Sequence, residues 1–385
     1  MKVSNTLFYI FAIVFFAFAL AFLSFMNNEM TGEEGGSRFL LMRIVLLLDL
    51  VCFGALFVGI NRNYRGIHLV SLLWVLIMPI VMYINHCPLA DTVRTILWPL
   101  LFETTYLCCQ ARESRCLFLK KEYIVLAIIG FGYFLLTRIG ADHQTNTIYL
   151  CFLTLPWLMF RTEKKTMLLL VFLFTFISLL SLKRSVMLAM VLMWAFYFIF
   201  GMKSRKNKVY IIIISIVVLG GLYLTFDKID ALTGGMLSER VNKEETDTGK
   251  SREAIWAVTT DMILTSSTEE LITGHGHFGV RQNSWLEISA HNDFLEVIYD
   301  YGLVIFFLYL CLWVYVLRRA YYLYKNKSEL FLPYAASLSI FLVMSMVSHL
   351  ILYTTYFNYL VMFWGMTEAI LEAQNQEFKR KAIKR

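Results

Sequence analysis

"HNDFLEVIYDYGLVIFFLYLCLWVYVLRR", residues 291–319, holds in one line the pattern that decides the fold. Its second half is an uncharged apolar run, 301–317, closed by Arg318 and Arg319. A run of about 20 such residues is long enough to cross hydrocarbon as a helix, and lipid offers the backbone no other partner for its hydrogen bonds. Its first half gathers a histidine, an asparagine and acidic and aromatic side chains just ahead of that run.

The same kind of run recurs along the chain. Hydrophobic residues make up 58% of the 385 and mean hydropathy is +0.63, beyond what a soluble domain carries. Twelve blocks stand out, at roughly 6–26, 39–60, 66–84, 93–110, 122–138, 146–160, 166–182, 185–201, 208–226, 301–317, 330–350 and 353–371. The expectation is an all-α polytopic membrane protein with about twelve transmembrane helices. The first block is too long for a signal-peptide core and lacks a small-residue cleavage site before Asn27, so it counts as a span.

Basic residues orient the spans. Arg62 and Arg65, Arg112 to Lys121, Arg161 to Lys165, Lys203 to Lys208, and Arg318 to Lys327 fall in alternate connections, which the positive-inside rule makes cytoplasmic. Both termini join them through Lys2 and "EFKRKAIKR". The net charge of +7 is thus spent on topology, and no nucleic-acid partner is expected. The seven cysteines show neither a disulfide framework nor metal spacing.

Three segments follow: helices 1–9 over residues 1–226, a large outer, periplasmic loop over 227–300, and helices 10–12 with a basic tail over 301–385. The loop carries 14 of the 28 acidic residues against six basic ones. Within it "SREAIWAVTTDMILTSS" reads as a helix capped by Ser251, with Ile255, Val258, Met262 and Ile263 on one face. "TGKS" at 248–251 is no phosphate loop, because Glu244 stands where its first glycine belongs. "GHGHFG" at 274–279 reads as a glycine turn, with a zinc site as the alternative.

Ser289 or Asn292 can cap a helix starting near Asp293 that runs into the tenth span. His291 is then either a solvated residue at that cap or a general base, its ordinary pKa leaving it mostly neutral at pH 7. Lys183 and Arg184 sit together at the turn between the seventh and eighth blocks with no carboxylate within four positions. They either snorkel or await an anion, and Arg43 is a weaker companion. A lipid-linked diphosphate would present such an anion at this depth, and a guanidinium can clamp it bidentately.

These residues resemble a family. The twelve-helix layout, the large loop between blocks nine and ten, Arg184, Arg252 with Trp256, "LITGHGHFG" and "HNDFLEVIYDYG" are similar to the O-antigen ligase and polymerase superfamily of bacterial envelope glycosyltransferases. Its ligase pattern is matched by His291, Asn292, nine residues and Gly302, but Ile305 stands where glycine, threonine or tyrosine is preferred. Lys183 likewise replaces the usual serine before the arginine.

The resemblance implies transfer of a glycan from undecaprenyl diphosphate to a hydroxyl of another glycan, on the outer face of the inner membrane. Arg184 and Arg252 would bind the diphosphate and His291 would handle the acceptor hydroxyl. Lys183, Arg43, Trp256, Asn292 and Tyr301 would contact substrate, Trp256, Trp285 and Tyr301 by offering faces to sugars. No metal or cofactor is implied. A polymerase would extend another lipid-linked glycan; a ligase would use lipid A core or a protein. The incomplete pattern tilts toward the polymerase.

Two further classes compete. A transporter or flippase would also have twelve helices, with Asp49, Glu103, Pro79, Pro99 and Pro156 marking its path. A structural membrane protein would need no histidine loop.

Overall fold

The computed structural model describes residues 4–25, 66–110, 112–138, 147–181, 183–201 and 252–383, with residues 44 and 209. Every regular element among them is helical. In chain order they are α1 (Asn5–Phe25), α2 (Ile67–Ile84), α3 (Leu89–Cys109), α4 (Glu113–Arg138), α5 (Thr147–Leu153), α6 (Leu155–Met159), α7 (Lys164–Ser181) and α8 (Arg184–Phe196), which ends in a π turn, Tyr197–Gly201. Then come α9 (Arg252–Thr265), α10 (Thr268–Thr273), α11 (Gly279–Asn283), α12 (Asp293–Lys325), α13 (Phe331–Val347) and α14 (Thr354–Ile383).

Among the described residues, α2, α7 and α12 are long and apolar enough to cross a membrane, and shorter apolar helices accompany them. Blocks 39–60 and 208–226 lie outside the described residues apart from residues 44 and 209, and with them Arg43 and Asp49. Block 146–160 is not one helix. It divides at Thr154 into α5 and α6, where Pro156 has no N–H for the helical ladder; the Thr154 hydroxyl and N–H both donate to Cys151 O, at 2.6 and 3.1 Å. The last block does not stop at 371: α14 continues through the basic tail to Ile383.

The chain gathers into two compact units. One comprises Met1–Tyr123, Thr248–Arg319 and Met344–Arg385. In it α14 packs along α3, which also packs against α2. Buried tryptophans fill the contact: Trp74 and Trp98 meet edge to face at 5.1 Å, Trp98 meets Phe357 at 5.6 Å, and the Trp74 indole N–H donates to Thr95 O at 3.0 Å.

Connections that the loop charges assign to the same side meet in this unit. Asn85 donates to Thr273 O (2.8 Å) and Asn292 to Met346 O (3.2 Å), while Arg115 donates to Asn5 (2.9 Å) and Arg319 to Glu368 (2.6 Å). Glu103, the carboxylate that a transport path would use, is 2% exposed and engaged by His68 Nδ1 at 2.9 Å.

The other unit comprises Ile124–Asp247 and Ala320–Val343. Phe174 of α7 packs edge-on against Phe131 and Phe152, and the Trp194 indole of α8 donates to the Thr175 hydroxyl of α7 at 2.9 Å. Arg161 pairs with Glu329 at 2.8 Å.

The expectation that the helix starting at Asp293 runs almost uninterrupted into the tenth span needs correcting. Gly302 breaks α12 with φ 77° and ψ 176°, so 293–301 is a short head helix and 303–325 is the long apolar part. About 23 residues at 1.5 Å each still cover the hydrocarbon. The break exists because another backbone occupies the space: a Cβ at 302 would lie 2.2 Å from Ile272 O and 2.7 Å from Gly274 N. Gly274 is the reciprocal case, its own Cβ falling 2.3 Å from Asp300 O.

Gly302→Ala therefore meets backbone that cannot step aside and a left-handed φ as well. It is expected to cost about 2 kcal/mol or more. Thermal unfolding in detergent checks it, with Gly132→Ala, where a Cβ meets nothing within 4 Å, as the control.

Candidate functional site

The head helix is assembled by its own sequence. The Asn292 side-chain oxygen accepts the N–H groups of Phe294 (2.9 Å) and Leu295 (3.4 Å), an N-cap, and Asp293 and Glu296 stand in the positive first turn. Asp293, Glu296 and Asp300 recur at helical spacing on one face, and all three are 0% exposed.

Each of these carboxylates takes backbone donors from a different segment. Asp293 Oδ1 accepts from Leu350 (2.8 Å) and Ile351 (3.3 Å), Glu296 Oε1 from His291 (3.1 Å), and Asp300 Oδ1 from Val280 (2.9 Å). These groups precede Gly302 and so lie outside the long apolar segment 303–325. Burial lifts Asp293 to about 7, with Glu296 adding to the rise and the Leu350 and Ile351 donors opposing it. Burial likewise lifts Glu296 to about 8 and holds Asp300 well above the usual carboxylate range. Glu296 Oε2 and Asp300 Oδ2 have no hydrogen-bond partner among the described residues, as suits carboxyls that keep a proton.

His291 precedes the cap in a left-handed backbone conformation, φ 53°. Such a conformation in a non-glycine residue costs about 1–3 kcal/mol and persists only where its surroundings impose it. Glu296 holds its N–H, and the Trp256 indole N–H donates to the preceding carbonyl, Ala290 O, at 2.9 Å. The His291 ring stacks on that of His349, centroids 4.5 Å apart and planes at 22°.

Around this turn the loop has a small core. Val280, Ala290 and Tyr299 are buried together, and Leu295 packs against them with Met262 and Ile263, two of the four residues of the face expected of "SREAIWAVTTDMILTSS". Ser251, its expected cap, lies outside the described residues. Beyond α9, Ser267 and Glu270 close a capping box at the start of α10.

The "GHGHFG" histidines are spoken for separately. His275 stacks on Tyr299 at 3.9 Å with its Nδ1 3.1 Å from Tyr299 O, and His277 Nδ1 meets the Tyr301 hydroxyl at 2.5 Å. Among the described residues no three His, Cys, Asp or Glu side chains converge as metal ligands. Burial, reinforced by the charge of Arg94, pushes His277 down to about 3.

A comparison with protein families bears on the same segment. Residues 169–310 match the family model described as O-Antigen ligase. The chain carries a domain of the O-antigen ligase superfamily. Members of this superfamily are glycosyltransferase-like membrane enzymes, and the matched stretch includes Arg184, Arg252, His291 and Gly302. No curated protein matches the chain.

Within the O-antigen ligase domain the expected site residues divide. His291, Asn292 and Trp256 come together, but Asn292 serves as a cap and Trp256 as a clamp on the His291 turn. Tyr301 offers no face to a sugar, being 1% exposed and bound to His277. Trp285 does, at 75% exposed. Arg252 is exposed at the start of α9, one turn before Trp256 and on the same helical face.

Lys183 and Arg184 belong to the other unit. Lys183 caps α8 with its N–H on the Ser181 hydroxyl (3.2 Å) and its ammonium 5.7 Å from the Tyr149 ring; Arg184, exposed, opens the helix. Arg43 lies outside the described residues. Sequence alone missed His349 and the three buried carboxylates. His349 sits 58 positions from His291 at the end of an apolar block, with no local signal, whereas the spacing of Asp293, Glu296 and Asp300 was open to inspection.

Trp256→Phe keeps the ring and deletes the donor, a loss of about 1 kcal/mol, so amide exchange at residues 289–292 is expected to speed up about fivefold. For His277 the linkage is signed. The folded protein keeps it neutral down to about 3 while the unfolded chain takes a proton below 6.5, so its contribution to stability is lost as pH falls through that window. His277→Gln is expected to be less stable than wild type at pH 7.5, with the gap narrowing as pH falls from 6.5; thermal unfolding across that range checks it.

Proposed function

We propose that the protein is a polymerase-type glycosyltransferase of O-antigen or capsular polysaccharide. It moves a glycan from undecaprenyl diphosphate to a hydroxyl of another lipid-linked glycan, on the periplasmic face of the bacterial inner membrane. The observation that carries this reading is the His291 turn: a left-handed histidine held by Glu296, Trp256 and a stacked imidazole, inside the stretch that matches the O-antigen ligase family. The meeting of same-side connections supports a multi-pass chain, and the loop charges make both termini cytoplasmic.

In this mechanism His291 accepts the acceptor's hydroxyl proton as that oxygen forms its bond to the anomeric carbon. The bond from that carbon to the diphosphate oxygen breaks, and the diphosphate leaves with the electron pair. Arg184 and Arg252, with Lys183, stabilise the departing charge, a role that needs no divalent ion. Trp285 is suited to stack on a sugar. The family description itself favours a second reading, a ligase that delivers the glycan to lipid A core or to a protein.

Purified protein in proteoliposomes with undecaprenyl-diphosphate-linked glycan, and neither nucleotide nor divalent metal, is expected to lengthen the lipid-linked glycan. His291→Ala, Arg184→Ala and Arg252→Ala are each expected to lower the rate about 100-fold or more. Transfer only when lipid A core is supplied establishes the ligase instead. No transfer to either acceptor, or full activity in the three variants, sinks the reading.

A further inference from the structure

His349 lies in the short connection between α13 and α14, 16% exposed, with its ring on that of His291 and its Nδ1 3.6 Å from Glu296 Oε1. That distance is too long for a hydrogen bond but within reach of an ion pair. Two imidazoles stacked at 4.5 Å cannot both be protonated cheaply, because like charges so close repel. Glu296, 0% exposed and with Oε2 unpartnered among the described residues, supplies either a counter-charge or a place for a proton. Its rise to about 8 by burial is opposed whenever His349 is protonated beside it.

Other described groups also lie around the pair. Asp293 is turned to Leu350, Ile351 and the Tyr309 hydroxyl, Tyr353 lays its ring against His349 at 4.6 Å, and Trp256 of α9 brings no charge.

We propose that His291, His349 and Glu296 form one proton-sharing unit in which His349 is a positioning residue that sets the protonation of His291. The proposal rests on His291 being the base of the transfer described above. At rest the unit holds one proton, on His349 with Glu296 ionised or on Glu296 with both imidazoles neutral, and is uncharged. Taking the acceptor's proton brings it to two protons and one positive charge, carried as two protonated imidazoles against ionised Glu296. His349 thus competes with His291 for charge, and Glu296 attracts it.

The two partners therefore act with opposite sign. Without the competing imidazole, as in His349→Phe or His349→Gln, His291 binds its proton more tightly and its midpoint rises. Without the carboxyl, as in Glu296→Gln, the midpoint falls. Diethyl pyrocarbonate acylates only neutral imidazole, so its rate at His291, mapped by mass spectrometry from pH 5 to 9 on full-length protein in nanodiscs, reads the midpoint without any substrate. Shifts of about one pH unit in these opposite directions are expected in variants whose thermal unfolding shows them folded. Unmoved midpoints, or shifts in the same direction, overturn the proposal. Wild-type transfer measured in parallel separates the two ideas: transfer with unmoved midpoints sinks the unit and spares the transferase reading, while shifted midpoints without transfer do the reverse.

Discussion

Burying three carboxylates on one face of a two-turn helix is the constraint on which the rest of the loop depends. Asp293, Glu296 and Asp300 could not be tolerated at 0% exposure without donors, and the donors they find are backbone N–H groups of three other segments: 350–351, 291 and 280. The head helix thereby fixes where those segments run. The debt is mutual, since those backbone donors, inside a protein, would otherwise go unsatisfied.

Such a helix cannot simply be the outer end of a membrane span. A span is oriented by lipid on its outside, whereas this face must look inward on all three turns of backbone that it binds. Gly302 resolves the conflict by letting the chain change direction between the two. The break also lets the backbone of 299–302 lie directly on that of 272–276, with His275 N–H on Tyr299 O (3.0 Å) and Gly276 N–H on Asp300 O (2.8 Å). The histidine turn is then carried on a packed, hydrogen-bonded segment.

The helical character of the chain was legible because lipid leaves so few options: a charge-free run such as 301–317 has one solution. Asn292 as a cap was legible for the same kind of reason, a short side chain with an oxygen ahead of an acidic first turn. Breaks were not. Thr154 and Gly302 depend on what packs beside them, and neither Pro156 nor a lone glycine in an apolar stretch announces that locally. Aromatic side chains were the least legible part of the site. Trp256, Trp285 and Tyr301 look alike in sequence, yet one is a clamp, one is exposed and one is core. His349 could not be found at all, because stacking across 58 positions leaves no trace in spacing.

The strain at His291 ties these threads to chemistry. The backbone at φ 53° does not by itself set His291 apart, since exposed Glu287 and Lys327 adopt the same conformation; the way it is held does. Here no alternative is available, because Trp256 holds the carbonyl before it, Glu296 its own N–H, and Asn292 the helix after it. All three holds act on backbone. A base that must meet a sugar hydroxyl needs this division of labour: a main chain locked by buried groups, and a ring whose charge is governed separately by what it stacks on.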